Sequence, residues 1–326
     1  MKNYISTAIC YMLVLTGCQQ AEGIDNANEK LPLSIEASIE GNNFISRHIT
    51  ENNVLNMAFK VEDAIGVFVD NRPAVEWTKQ EDGSWEAANT IYWPDKSNPH
   101  DFYAYHPYTA ASSKESVPMP SLATQTGNID NLCSLDFLVA TKTQDYETSP
   151  TVSFIKEEEG GGEDHSFKHV SSLISITIKG NSDLKSSTIK SISFSGGNIA
   201  SATTYTFSTN SVTITNNETP TQIIAANINH SINNTDKTFY FVANAGEALS
   251  NTTINIEYST GNKKYTASKT GLGNATLTGG TLYKFNMNIT DGVIAITGNE
   301  ITPWTEKEMD DIIINNPQES SNNENS

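Results

Sequence analysis

Cys18 is the residue whose surroundings most clearly specify a reaction. It closes the run Leu15-Thr16-Gly17-Cys18, which follows a short apolar stretch and the basic Lys2. The thiol is the group there that can accept a diacylglyceryl, and small residues before it suit a signal peptidase cutting at its amino side. The pattern reads as a lipobox: residues 1–17 form a lipoprotein signal peptide, Cys18 is the lipidation site, and 18–30 is a polar tether. A plain secretory peptide with an incidental cysteine and a transmembrane anchor are the alternatives. The apolar run from Ile5 to Leu15 is shorter than the about 20 residues a span requires. Each buried methylene adds about 0.8 kcal/mol, so two or three acyl chains hold a protein on a bilayer where one barely does.

Elsewhere the reactive side chains do not converge. The histidines are His48, His100, His106, His165, His169 and His230. His165 and His169 have ligand spacing for a helix, but the segment reads as loop into strand, where i and i+4 lie about 13 Å apart. Gly160-Gly161-Gly162 is flanked by acids, the wrong field for phosphate. Glu157-Glu158-Glu159 reads as a solvated loop and not a calcium site, which needs oxygens from several positions. No nucleophile, base and orienting group can be assembled, so the chain reads as a non-enzyme with no cofactor and no metal. The block Ile91-Tyr92-Trp93-Pro94 and Phe102-Tyr103-Ala104-Tyr105-His106-Pro107-Tyr108 could form a carbohydrate platform. Core packing with amphipathic tyrosines at strand ends is favoured over it.

Thirty-eight acids against 20 bases give a net charge of −18. That excludes the basic patches nucleic acid requires and predicts solubility with mutual repulsion. Once Cys10 leaves with the signal and Cys18 is lipidated, Cys133 remains alone, and its neighbours Leu132 and Leu135 point to burial. Stability must then come from packed cores, without an intrachain disulfide.

The elements that carry these residues alternate with period two. Tyr283, Phe285, Met287 and Ile289 alternate with polar residues, as do Ile174, Ile176 and Ile178, and Ile254, Ile256 and Tyr258. Each pattern places an apolar row on a core and a polar row in water. Strands are predicted at 31–40, 56–69, 73–78, 84–93, 101–106, 135–140, 151–155, 167–179, 188–195, 202–207, 211–215, 221–227, 237–243, 251–259, 262–269, 280–289 and 293–297. Asp82-Gly83 and Gly261-Asn262 suit tight hairpins. Residues 108–131 and 156–165 read as surface loops. The fold class is all-β. The division is an N-terminal sandwich over 31–182, a C-terminal sandwich over 183–305, and an acidic polar tail over 306–326.

The succession Ile65-Gly66-Val67-Phe68-Val69, Gly83-Ser84-Trp85, Ile91-Tyr92-Trp93-Pro94 and Asp101 to Tyr108 resembles the fimbrillin-like family of Bacteroidales pili. So do Asp136-Phe137-Leu138-Val139-Ala140, Phe167 to Leu173, Gly280 to Phe285 and Ile301-Thr302-Pro303-Trp304. The resemblance implies two tandem transthyretin-like Greek-key β-sandwiches. It also implies a lipid-anchored pilus subunit, or an accessory or tip subunit, in cell-surface adhesion. The implied location is the cell outer membrane and the fimbrium. The implied partners are other fimbrial subunits and outer-membrane lipid, with the adhesion ligand open. In polymerising members an Arg-specific protease trims the N-terminal strand and a neighbour's strand fills the groove. Arg47, one of two arginines with Arg72, follows the alternating Leu33, Ile35, Ala37 and Ile39, so the expectation is cleavage after Arg47 with strand 31–40 displaced. The alternative function is a monomeric surface glycan-binding lipoprotein.

Overall fold

The structure, a computed structural model, describes residues 30–40, 48–49, 55–56, 58–156, 163–180, 184, 186–197, 199–200, 203–214, 222–232, 234–290 and 293–303. Cys18, Arg47, the run 157–162 and the tail 306–326 lie outside them. Among the described residues the chain is all-β, with two short 3-10 turns at Ile129–Ser134 and Leu249–Asn251.

A six-stranded antiparallel sheet organises the first half. Its order is Lys168–His169, Leu138–Gln144, His100–His106, Ala64–Val69, Val75–Lys79 and Trp85–Ala87. Alternate residues of its central strands enter two separate cores. Ile65, Val67, Val69, Phe102, Ala104, Leu138 and Ala140 face one; Phe68, Tyr105, Phe137 and Val139 face the other. A sheet covered on both faces needs apolar residues at consecutive positions, which is why 65–69 and 102–105 lack polar alternation. Close packing dictates Gly66: a Cβ there would lie 2.3 Å from the Tyr105 ring.

The first core is closed by Ser34–Ala37 paired in parallel with Thr151–Phe154. The second is closed by a three-stranded sheet of Ser211–Ile214, Thr203–Thr206 and Val117–Pro118, which brings in Tyr205, Phe207, Val117 and Ala111. A hairpin from the second half therefore covers the outer face of the first half's sheet. Residues 108–131 are accordingly not a plain surface loop. Val117 and Leu122 are buried, and Thr124–Gln125 is a strand paired in parallel with Ile223–Ala225.

The larger sheet has ten strands. Its path runs from Lys237–Ala243 through Ser172–Ile178, Thr281–Thr290, Val293–Pro303, Lys263–Thr270, Thr253–Thr260, Ser187–Ser195 and Ile223–Ala225 to Thr124–Gln125, with His230–Ser231 beside Ser187–Ser195. Among the described residues, the pairing Ser268↔Val293 joins its two arms in the middle. The arms fold face to face: Phe194 and Phe241, from strands far apart along the path, meet edge to face at 5.0 Å. Gln125 then stitches the two ends. Its side-chain amide donates to the Val242 carbonyl (2.7 Å) and accepts from the Val242 N–H (2.9 Å), as a backbone partner would.

The expected alternations hold at Tyr283 to Ile289 and at Ile254 to Tyr258. At 172–178 they hold on one face alone, because Ser175 is buried too; this strand lies between two others. It pairs with Lys237–Ala243 and Thr281–Thr290, so the sheet assigns to the second half a strand that a division at 182 assigns to the first. Several expected strands are shorter; that at 31–40 is continuous over Ser34–Ala37, with isolated bridges at Pro32 and Ile39. Residues 58–63 turn at Glu62 (φ 72°) before the strand at Ala64–Val69. Residues 84–93 form a strand at Trp85–Ala87, after which 91–93 pair with the N-terminal segment instead. Gly261 (φ 58°) makes the two-residue hairpin expected between Thr260 and Lys263, whereas Gly83 (φ 87°) closes a longer loop between Lys79 and Trp85.

Candidate functional site

The residues with most to say about function form a groove and the strand lying in it. Leu31, Leu33, Ile35 and Ile39 point into the first core, with Ala37 partly buried in the same row. Pro32, Ser34 and Glu36 face out. This is the period-two pattern of a half-buried strand. Backbone groups on both edges are engaged. Leu33 N–H donates to the Ile91 carbonyl and Trp93 N–H to that of Leu31, both at 2.9 Å. On the other edge Ser38 N–H donates to Phe154 O (3.0 Å), Phe167 N–H to Ser38 O (2.8 Å), and Glu40 N–H to Phe167 O (2.8 Å). The segment thus fills a slot between 91–93 on one side and 151–154 with 167 on the other.

The floor of the slot is aromatic. Phe59, Phe154 and Phe167 form an edge-to-face chain, with Phe59–Phe167 at 5.1 Å and Phe154–Phe167 at 5.9 Å; Trp85 continues it at 5.1 Å from Phe59. Trp93 packs on Phe102 and donates from its indole to the Pro150 carbonyl (3.1 Å). Polar contacts decorate the outer row. Ser34 and Thr151 hydroxyls are 2.8 Å apart, and Ser153 donates to the Glu36 carboxylate at 3.0 Å. At the far end Glu40 accepts from the His169 N–H at 3.3 Å.

His169 closes this end of the groove. Its ring Nδ1 lies 2.7 Å from the Asp136 carboxylate, and both side chains are almost wholly buried (0% and 1% exposed). The two sequence blocks containing them are neighbours in the sheet, with Leu138 opposite His169 and Val139 opposite Lys168. The neighbouring Gly279 carries no side chain because one would run into the Val170 and His169 carbonyls at 2.7 and 2.8 Å.

The other histidines are dispersed. His100 Nδ1 is 2.9 Å from Asp70, His106 Nδ1 is 2.9 Å from the Ala64 carbonyl, and His165 Nδ1 is 3.0 Å from the Thr141 carbonyl. Burial, helped by nearby Lys237, lowers the His230 pKa. Among the described residues no group of three or more histidines, cysteines and acids is placed to hold a metal. The side chain of His48 and the Glu157–Glu159 run lie outside the described residues. Cys133 is half-buried against the core. The aromatic block is core: Trp93, Phe102 and Tyr105 are buried, and burial raises the Tyr105 phenol well above its ordinary value. Tyr92, Tyr103 and Tyr108 of the same block are half-buried.

Sequence reasoning identified the strand but missed its two-edged bracketing and the Asp136–His169 pair. The local signal was confined to Asp136, a lone acid between Leu135 and the apolar run Phe137-Leu138-Val139-Ala140; His169 lies among largely polar neighbours and gave none.

Among the described residues the chain is all-β and layered, with its first strand in a slot between two backbone edges, an architecture that places it with β-sandwich proteins. Its family is more specific. The model of the fimbrillin-like family matches residues 47–304, and the chain belongs to that family. Fim1C of Bacteroides uniformis, provisionally named a fimbrium subunit, is 26% identical over 190 residues. That match spans 55% of each chain, so the protein spans about half the length of this relative. Two solved structures of provisional cell adhesion proteins share the fold. One, from Bacteroides uniformis, has 19% identity and a TM-score of 0.58; one from Bacteroides ovatus has 16% and 0.57. Each comparison covers 86% of this chain and 99% of the other.

Proposed function

We propose that the protein is a lipid-anchored fimbrial subunit, or an accessory or tip subunit, that works in cell-surface adhesion and joins its neighbours by strand exchange. The supporting observation is the N-terminal strand at 31–40. It fills an apolar slot and is followed in sequence by Arg47. Cleavage after Arg47 cuts the covalent link to this strand. The vacated slot then offers unpaired backbone groups at 91–93, 154 and 167 and an aromatic floor. A neighbour's strand satisfies both. Such contacts are head-to-tail and do not close, so they propagate into filaments. Lipid on Cys18 places the precursor on the outer membrane before processing, and two tandem sandwiches, the second beginning with the strand Ser172–Ile178 and not at 183, give each subunit an acceptor region and a second body. Membership of the fimbrillin-like family and the name of the partial relative support the role.

The test uses cells that display the protein. Labelled palmitate enters the wild type and not Cys18→Ala. High-mass species appear on gels in an Arg-protease-dependent way, and mature protein begins at His48. Protein that begins at Cys18 in every fraction, with no high-mass species, refutes the proposal.

A further inference from the structure

We propose that Ala37 fixes the register of whatever strand occupies the slot, so that an incoming strand must carry a small residue at this place between larger aliphatic ones. This rests on the strand-exchange reading and specifies its partner. The inward row reads Leu31, Leu33, Ile35, Ala37, Ile39. Strand pairing sets Ile35 opposite Val152, Ala37 opposite Phe154, and Ile39 opposite Phe167. The smallest inward residue thus faces a fully buried ring, and that ring is backed by Phe167, with Phe59 and Trp85 behind it. A slip of two residues sets Ile35 or Ile39 against Phe154 and overfills a packed aromatic cluster. A slip of one residue turns Glu36 and Ser38 inward. Either slip also separates Ser34 from Thr151, Glu36 from Ser153, and Glu40 from the His169 N–H.

The pattern required is aliphatic at four inward positions, with alanine, glycine or serine at the fourth of the five. No other window of residues 1–326 has it: 174–182, the nearest, reads Ile, Ile, Ile, Gly, Ser at alternate positions. Within residues 1–326 a second copy matches the slot only with its own residues 31–39. The occupant to which we assign the slot is a strand of a different subunit carrying this pattern, in a hetero-assembly.

The test has two arms. In the first, the full chain with Arg72→Lys is cut after Arg47 by an Arg-specific protease and mixed with a fluorescent peptide of sequence 31–40. The parent peptide enters the slot, while the same peptide with leucine for Ala37 binds about tenfold to a hundredfold more weakly. A Phe154→Leu protein accepts the leucine peptide again. Equal binding of the two peptides to the parent protein overturns the inference, as does the absence of rescue by Phe154→Leu. If the parent peptide itself does not enter, strand exchange fails and the second arm decides the register separately. In the uncut chain, Ala37→Leu speeds amide exchange across 31–40 by a similar factor and Phe154→Leu restores protection. Unchanged exchange in Ala37→Leu overturns the role of Ala37.

Discussion

The substitution Ile35→Ala probes whether the first strand is a separable element. Ile35 is buried in the slot and pairs with Val152. Truncation removes roughly three buried carbons at about 0.8 kcal/mol each, and a cavity term adds to this when neighbours relax only partly. The aromatic floor at Phe154 and Phe167 is tightly packed, which limits that relaxation. The expected cost is about 3 kcal/mol, near a hundredfold in a local opening equilibrium. Hydrogen exchange read by mass spectrometry reports it directly. The Leu33 and Ser38 amides, which donate to Ile91 and Phe154, exchange about a hundredfold faster. Ser172–Ile178, paired on both sides in the other sheet, is unaffected. Ser34→Ala, on the solvent side, changes exchange by less than about 0.5 kcal/mol. Two results refute the reasoning: unchanged protection over 31–40, or equal loss over 172–178, which makes the strand inseparable from the global core.

Further predictions concern the body that holds the slot. Asp136→Ala removes the carboxylate from the buried His169 Nδ1 and lowers stability by about 2–4 kcal/mol, with Asp136→Asn milder; urea midpoints measure both. Gly66→Ala drives a methyl into the Tyr105 ring and costs at least about 2 kcal/mol in the same assay. Burial pushes the Tyr205 phenol up to about 12. Because its folded value lies above the unfolded one, near 10, its contribution is whole below pH 10 and is lost as pH rises through the folded value; Tyr205→Phe flattens the fall in urea midpoint between pH 9 and pH 12. In a Trp304→Phe background, acrylamide quenches little of the tryptophan emission, and adding polysaccharide leaves the emission unshifted, because Trp77, Trp85 and Trp93 are buried.

Local pattern carried the fold class a long way. Tyr283 to Ile289 and the Gly261-Asn262 turn were readable because their determinants are neighbours in sequence. Strand 31–40 was readable for the same reason, and its partners were not: Ile91 and Phe154 are distant in the chain, and nothing local names them. The segment 108–131 looked like a loop because it is rich in serine, threonine and proline. Its order comes from long-range contacts, above all Gln125 to Val242. The strand 172–178 was placed in the first half by proximity along the chain, whereas its hydrogen bonds run to strands beginning at Lys237 and Thr281. Asp136 stood out as an acid beside an apolar run, but its pairing with His169 depends on antiparallel register, which single-sequence reading does not supply.

Cross-linking at the slot in assembled material tests the central claim most directly. A photoreactive residue in place of Ser153, whose neighbour here is Glu36, reports which strand lies beside it. In high-mass material from the cell surface, the account predicts adducts to a strand of another subunit and none to residues 31–40 of the same chain. Adducts to the protein's own 31–40 in that material contradict it.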